Sequence, residues 1–256
     1  MIPKVIHYCW FGGGPLSKLN IQCINSWKKH LPDYEIKEWN ETNFDVNVVP
    51  YTQEAYRAKR WAFVSDYARF WILYNHGGIY LDTDVEIIHP IDDIVEAGDY
   101  MGCEASGCGG PFYVAPGLGF GCHKGNQVLK ELLDIYSTLH FDLCGKQNLK
   151  SIVYYTTEYL VKAGAKNVNE IQVVKDFVIY PKEYFNPWDA TLDRYVLTPK
   201  TRSIHHYEGS WFTRRERFMK FVEKKVGRWA VRLIHALYVS IKSVLLVQRN
   251  RNVKVH

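Results

Sequence analysis

Ala62-Phe-Val-Ser-Asp-Tyr-Ala-Arg-Phe-Trp-Ile-Leu-Tyr-Asn-His-Gly-Gly-Ile-Tyr-Leu-Asp-Thr-Asp-Val-Glu86 is the stretch whose reading decides the fold. Val64, Ala68, Trp71 and Ile72 follow the i, i+4, i+7, i+8 spacing that lays an apolar stripe along one helix face. His76-Gly-Gly78 ends that helix, because glycine enters the left-handed region at little cost. Ile79-Tyr-Leu81 is too short for a helix and is bounded by turn residues, so it reads as a buried strand. Asp82 and Asp84 stand at its carboxyl end. Two carboxylates in that position need a cationic neighbour to offset their desolvation, and a divalent metal is the first candidate. Asp66 and Arg69, three apart on the preceding helix, share one face.

Outward from this stretch, Lys4–Trp10 is a strand by composition and runs into the turn Phe11-Gly-Gly-Gly-Pro15. A glycine-rich turn after the first strand is where α/β folds commonly receive a nucleotide. Gly12-Gly-Gly14 is nevertheless neither a GxGxxG fingerprint nor a P-loop. Leu16–His30 reads as a helix, Tyr34–Trp39 as a strand, and helical character resumes at Gln53. Beyond Glu86, Ile91–Ala97 is a short helix, and the glycine-rich run Met101–Gly121 suits hairpins and loops lining a site. Asn126–Leu139 and Asn148–Ala163 are helical in pattern; Ile171–Val174, Phe177–Tyr180 and Ser203–Tyr207 are strands. This alternation predicts an α/β fold with a mostly parallel sheet in three layers.

Charge divides the chain. Residues 212–256 carry twelve Lys/Arg against two Glu, a net of +10, which leaves −5 for residues 1–211. The expected organisation is therefore a catalytic domain over 1–211 and a basic tail over 212–256. Apolar residues recur at i+3 and i+4 from Ala230 to Leu245, with Arg232, His235 and Lys242 interrupting, so the tail predicts basic amphipathic helices. They would lie on an anionic membrane surface and not span it; packing on the domain with a solvated basic face is the plainer alternative. No pattern points to nucleic acid. Six cysteines without a CxxC pair, and a start lacking signal-peptide features, fit a cytoplasmic protein with free thiols.

Three clusters and one aromatic residue could carry chemistry. Asp82-Thr-Asp84 offers the hard oxygen ligands that Mg²⁺ or Mn²⁺ takes together with substrate phosphates; the alternative is a solvated surface turn. Asp66 and Arg69 could grip sugar hydroxyls, or form a plain i,i+3 ion pair worth a few tenths of a kcal/mol. His205-His-Tyr-Glu-Gly-Ser-Trp211 could complete a metal shell or bind a diphosphate, although adjacent histidines are as readily one buried and one exposed. Trp10, at the mouth of the first strand, could stack on a nucleobase or simply pack in the core.

Taken together, Ile2–Gly12, Ala62–Arg69, His76–Val85 and Ile204–Trp211 resemble, in order, the motifs of glycosyltransferase family 32. That family comprises capsule and oligosaccharide sugar transferases related to the yeast initiating mannosyltransferase, and more distantly to the glucosylating clostridial toxins. The resemblance implies a GT-A-type, three-layer Rossmann-like fold that binds a nucleotide-sugar, Mn²⁺ (or Mg²⁺) as cofactor, and retention of anomeric configuration. It implies that Trp10 stacks on the base, with Ile6, His7 and Tyr8 lining its pocket through backbone groups. Asp66 and Arg69 would hold the donor sugar, Tyr80 would support ribose or diphosphate, and Asp82 would contact ribose and sugar hydroxyls. Asp84 and His206 (His205 as alternative) would ligate the metal, with Ser210 and Trp211 on the diphosphate. The expected donor is a UDP-sugar ahead of a GDP-sugar. The expected acceptor is a saccharide or lipid-linked saccharide of bacterial surface polysaccharide or oligosaccharide synthesis, used at the inner face of the cell membrane. Two other readings stand beside it. One is a haloacid-dehalogenase-like phosphohydrolase, which would place its DxD on the first strand and not eighty residues in; the other is an inactive sugar-binding module.

Overall fold

The computed structural model describes residues 1–107, 110–189 and 192–209. Ser210, Trp211 and the tail 212–256 lie outside the described residues, as does the expected boundary at 211/212. Met1–Glu208 form one compact unit.

In chain order the elements are β1 (Val5–Cys9), α1 (Lys18–His30), β2 (Glu35–Trp39), α2 (Pro50–Arg57), α3 (Trp61–His76), β3 (Gly78–Tyr80), β4 (Val85–Ile87) and α4 (Asp92–Ala97). Next come β5 (Tyr100–Ala105), β6 (Tyr113–Val114), β7 (Phe120–Cys122), α5 (Gln127–Ser137), the small hairpin β8 (Asp142–Leu143) and β9 (Lys146–Gln147), and α6 (Ile152–Lys162). The described part ends with β10 (Gln172–Val174), β11 (Phe177–Tyr180), β12 (Trp188–Asp189), β13 (Arg194–Tyr195) and β14 (Ser203–His205).

The main sheet has eight strands in the order β10-β11-β5-β7-β3-β1-β2, with β6 paired to β5. β2, β1 and β3 run parallel, as do β5 and β11. β7 runs against both β3 and β5, so it joins the two parallel groups with their directions matched. The sheet is thus mixed but mostly parallel, five of eight strands sharing one direction. This places the carboxyl ends of β1, β3, β5 and β11 along one edge, where open α/β sheets hold ligands.

Two cores cover the two faces of the sheet, as three-layer α/β architecture requires. Neighbouring residues of β5 divide between them: Tyr100 joins Ile24 and Trp27 of α1 and Ile94 and Val95 of α4, whereas Met101 and Cys103 join residues of α3, α5 and α6. The period-2 alternation of a strand produces this division.

The central helix differs from the simple stripe expected of it. Val64, Ala68 and Ile72 are buried, but so are Phe63, Tyr67, Phe70 and Leu73 on other faces, and Trp71 is only partly covered. The reason is position: α3 contacts β1, β3 and β7 below and α2, α5 and α6 around it. A helix enclosed in this way is apolar nearly all round. It ends where expected, at Gly77 with φ 68° and Gly78 with φ 103°. At Gly78 a Cβ would also press on the Val5 carbonyl and the His7 ring, so β3 can enter beside β1 only through glycine.

Candidate active site at the carboxyl end of β3

α1 begins with a reciprocal cap between Ser17 and Asn20, and Asn20 is also a strut. Its buried amide donates to the Thr83 carbonyl and hydroxyl, at 3.4 Å each, and to Glu208 Oε2 at 2.9 Å. The middle residue of Asp82-Thr-Asp84 is therefore tied to the first helix.

β14 pairs antiparallel with β4, setting His205 opposite Val85. This ladder brings the His205-His206 pair to the two acidic side chains flanking Val85, across about 120 residues of sequence. His205 Nε2 lies 3.2 Å from Asp84 Oδ1, and His206 Nε2 lies 2.8 Å from Glu86 Oε2. Asp84 Oδ2 accepts the Glu208 backbone N–H at 2.9 Å, and the Asp84 carbonyl accepts that of His206 at 3.0 Å. Burial alone would push the Asp84 carboxyl up, but the His205 hydrogen bond and charge with the Glu208 N–H hold it below its ordinary value. Burial would lower His205, yet the facing carboxylate raises it. Both shifts come from the carboxylate and the imidazole facing each other.

On the other side of the motif, α3 and β3 build a second charged group. Arg69 is buried. Its Nη2 donates to Asp66 Oδ1 at 3.2 Å, its Nη1 reaches Asp82 at 3.2 Å, its Nε bonds the Ser65 carbonyl, and its guanidinium lies 4.6 Å over the Tyr80 ring. The Tyr80 hydroxyl donates to Asp82 Oδ1 at 3.3 Å. Asp66 Oδ2 accepts the N–H of Ile152, the first residue of α6, at 3.0 Å. Burial raises the Asp66 carboxyl to about 6 in spite of Arg69.

The i,i+3 pair is thus an interior one: the Asp66 and Arg69 side chains are 8% and 5% exposed, while Asp82 is 29% exposed. Both Asp66 oxygens are engaged inside the protein, one by Arg69 and the other by the Ile152 N–H. In this geometry Asp82 is the open carboxylate, and Asp66 and Arg69 stand behind it as its support.

Along β1 the placement is also mixed. Ile6 and His7 pair with β2 on one side and β3 on the other, so their backbone groups take part in both ladders. The His7 ring accepts the Trp39 indole N–H at Nδ1 and donates from Nε2 to the Gly77 carbonyl, both at 3.0 Å. Burial holds it neutral, with its pKa lowered to about 4. The Tyr8 hydroxyl donates to Glu38 at 2.6 Å. Just past the end of β1, Trp10 is partly open and its indole donates to the Gly14 carbonyl at 2.6 Å.

The groups beside Asp84 are carboxylate oxygens and imidazole nitrogens, donors that a divalent cation can take. His205 Nδ1 is buried without a hydrogen-bond partner, so that ring retains an unused nitrogen. Among the described residues no group of three or more His, Cys, Asp or Glu is disposed to hold an ion. Two protein ligands suffice where substrate phosphates and water complete the shell.

Sequence reasoning missed the Ile152 N–H, the Glu208 N–H and Asn20. The first two are backbone groups and leave no residue-type signal, and Asn20 is visible only as a helix cap.

Residues 17–100 match the family described as glycosyltransferase sugar-binding region containing DXD motif. An inositol phosphoceramide mannosyltransferase of Schizosaccharomyces pombe is 29% identical over 105 residues, 37% of this chain and 27% of that protein. An uncharacterized glycosyltransferase of Acanthamoeba polyphaga mimivirus is 32% identical over 111 residues, 40% of this chain and 43% of that protein. The chain spans between 24% and 43% of the length of the curated relatives it matches. A solved glycosyltransferase involved in glycosylation of the major capsid of PBCV-1 aligns over 84% of this chain and 97% of its own, with TM-score 0.50 and 11% identity, a likeness of fold. Residues 17–100 are thus similar to the DXD-containing sugar-binding region of glycosyltransferases, and the described residues have a GT-A-like α/β fold.

Proposed function

We propose that the protein is a metal-dependent retaining glycosyltransferase that moves a hexose from a nucleotide-sugar, UDP-linked ahead of GDP-linked, onto a saccharide acceptor. The observation that carries this reading is the convergence at the end of β3. Asp84 is paired with His205 on one side, and Asp82 is held by Arg69 and Tyr80 on the other. Asp82 would accept hydroxyls of the donor, oriented by Arg69 and, through it, by Asp66. Trp10 would stack on the base at the end of β1.

Asp84 with His205 or His206 would hold the cation, Mn²⁺ or Mg²⁺, which when bound supplies positive charge to the leaving diphosphate. An acceptor hydroxyl attacks the anomeric carbon from the face the diphosphate leaves. The new C–O bond forms as the bond to phosphate breaks, the diphosphate takes the electron pair, and the hydroxyl proton passes to it. Ser210 and Trp211 belong to this proposal as diphosphate contacts.

A bacterial surface polysaccharide or oligosaccharide is the acceptor class we favour. The relative named for mannosyl transfer to inositol phosphoceramide keeps mannosyl donors and lipid-linked acceptors in view. The basic tail supports a peripheral location at the cytoplasmic membrane face, since net +10 over 212–256 favours an anionic surface. Comparing membrane fractionation of the full chain with one ending at Phe212 tests the location; equal solubility would end that part of the proposal.

The transferase reading is tested with a panel of UDP- and GDP-sugars in Mn²⁺, following nucleotide release by wild type and Asp84→Asn. Release that depends on donor, on metal and on Asp84 supports it. No release from any donor, or equal release by both proteins, rejects it.

A further inference from the structure

We propose that Gly117 is a positioning residue of the donor site, holding the Asp82 carboxylate in place through a contact that only a residue without a side chain can make. This rests on the transferase reading for its consequence, though not for its geometry. The turn Ala115–Leu118 is closed by the Leu118 N–H to the Ala115 carbonyl at 3.2 Å. Three of its carbonyls face outward to three separate parts of the site. Pro116 accepts Arg69 Nη1 at 3.4 Å, Gly117 accepts the Asp82 N–H at 2.9 Å, and Leu118 accepts the Ser203 hydroxyl at 3.4 Å, two residues before His205. One short turn therefore joins α3, the Asp82-Thr-Asp84 segment and β14.

Gly117 lies at the centre of that junction. A Cβ built on it would overlap Asp82 Oδ2 and stand 2.8 Å from Asp82 Cγ and 2.9 Å from Arg69 Nη1. Its φ is not among the positive values of the chain, so the backbone is one that any residue could adopt. The requirement for glycine is steric, and it is aimed at the carboxylate. Neighbouring glycines differ in what they face. A Cβ at Gly102 or Gly119 would meet the Phe185 ring, and one at Gly121 the Tyr100 ring, so those positions answer to core packing.

Asp82 is thus enclosed by four groups: Arg69, the Tyr80 hydroxyl, its own N–H bond to Gly117, and the Gly117 Cα surface. Only the remaining side of the carboxylate is open, and its direction is set by backbone. A methyl group at 117 turns Asp82 away from this seat and off Arg69. Displacements of about 1 Å in such groups can cost on the order of a hundredfold in rate.

The test is a double-mutant cycle on the full chain: Gly117→Ala, Asp82→Ala and the double variant, with Gly119→Ala for comparison. Melting is followed by circular dichroism, and nucleotide release is measured on the best donor of the UDP- and GDP-sugar panel with Mn²⁺. Gly117→Ala is expected to lower the melting temperature more in the wild-type background than in the Asp82→Ala background, where the nearest obstacle is gone and only Arg69 Nη1 remains close. Gly119→Ala is expected to lower it equally in both, because Phe185 is untouched. Folded Gly117→Ala is expected to lose at least tenfold in kcat. Equal melting losses for Gly117→Ala in the two backgrounds, or wild-type kcat and KM in the folded variant, would overturn the proposal. If Gly117→Ala alone does not fold, recovery of folding in the double variant supports it and failure there overturns it. Wild type inert toward every donor would instead reject the transferase reading, while the melting cycle still reads the contact between Gly117 and Asp82.

Discussion

Arg69 bonds Asp66, three residues before it, with Nη2 at 3.2 Å, and Asp82, thirteen residues after it, with Nη1 at 3.2 Å. One buried guanidinium thereby couples the helix to the motif at the strand end. Its planar fork spans both partners, which a lysine ammonium cannot do. Arg69→Ala leaves the Asp66 carboxylate buried without its cation and is expected to cost about 3–5 kcal/mol of stability, read by chemical denaturation. Arg69→Lys is expected to fold yet lose donor turnover; wild-type kcat in Arg69→Lys would contradict the coupling.

Asp66 also has a testable pH signature. Its folded pKa, about 6, exceeds the ordinary 3.8 because of burial. For an acid raised on folding, the native state binds more protons between these values. Its contribution to stability is therefore most favourable below pH 4 and is lost as the pH rises through about 6. Compared with Asp66→Asn, wild type should gain on the order of 2–3 kcal/mol as the pH falls from about 6.5 to 4. Activity moves the opposite way, declining in acid as Asp66 ceases to pair with Arg69. Parallel stability curves for the two proteins would show that Asp66 does not titrate there.

His7 has the reverse slope and a structural role. Burial lowers it to about 4, so its contribution is lost as the pH falls from 6.5 toward 4, where the unfolded chain takes up the proton. His7→Ala would strand the Trp39 indole N–H and the Gly77 carbonyl; removing a buried partner costs about 1–3 kcal/mol per group. The expected result is a lower melting temperature with little change in donor KM for the folded fraction.

The two adjacent histidines are expected to differ in metal dependence. His205 faces Asp84 and His206 faces Glu86. His205→Ala should raise the Mn²⁺ concentration for half-maximal turnover by about 10–100-fold, the range for groups that touch or orient a metal ligand. His206→Ala should shift it much less. A larger shift in His206→Ala would mean that the cation is held from the Glu86 side.

Trp10 is partly open at the end of β1, its ring oriented by the Gly14 carbonyl. If it stacks on the base, Trp10→Ala raises donor KM with kcat nearly unchanged, since stacking is worth about 1–3 kcal/mol per base. A fall in kcat alone would place Trp10 elsewhere in the mechanism.

The order of helices and strands was legible because hydrophobic period and glycine punctuation are local properties. Ser17 to His30, Gly77-Gly78 and the strand before Asp82 all lie close to where pattern and turn chemistry put them. The antiparallel β7 between β3 and β5 was not legible, since strand direction depends on partners distant in sequence. The all-round burial of α3 was hidden for the same reason: a period shows that a helix has an apolar side, not how many neighbours enclose it.

The site divides along the same line. The residue types, two carboxylates one residue apart after a strand and an Asp and Arg three apart on a helix, are properties of the chain, and with them the donors and acceptors that the site can offer. Which carboxylate is open and which is interior was decided only when α6 delivered the Ile152 N–H to Asp66 and the Ala115–Leu118 turn closed on Asp82. Likewise β14 had to pair with β4 before His205 could be distinguished from His206. Spacing along a chain specifies what a side chain can do, whereas burial, partner and direction belong to groups that are neighbours only in three dimensions.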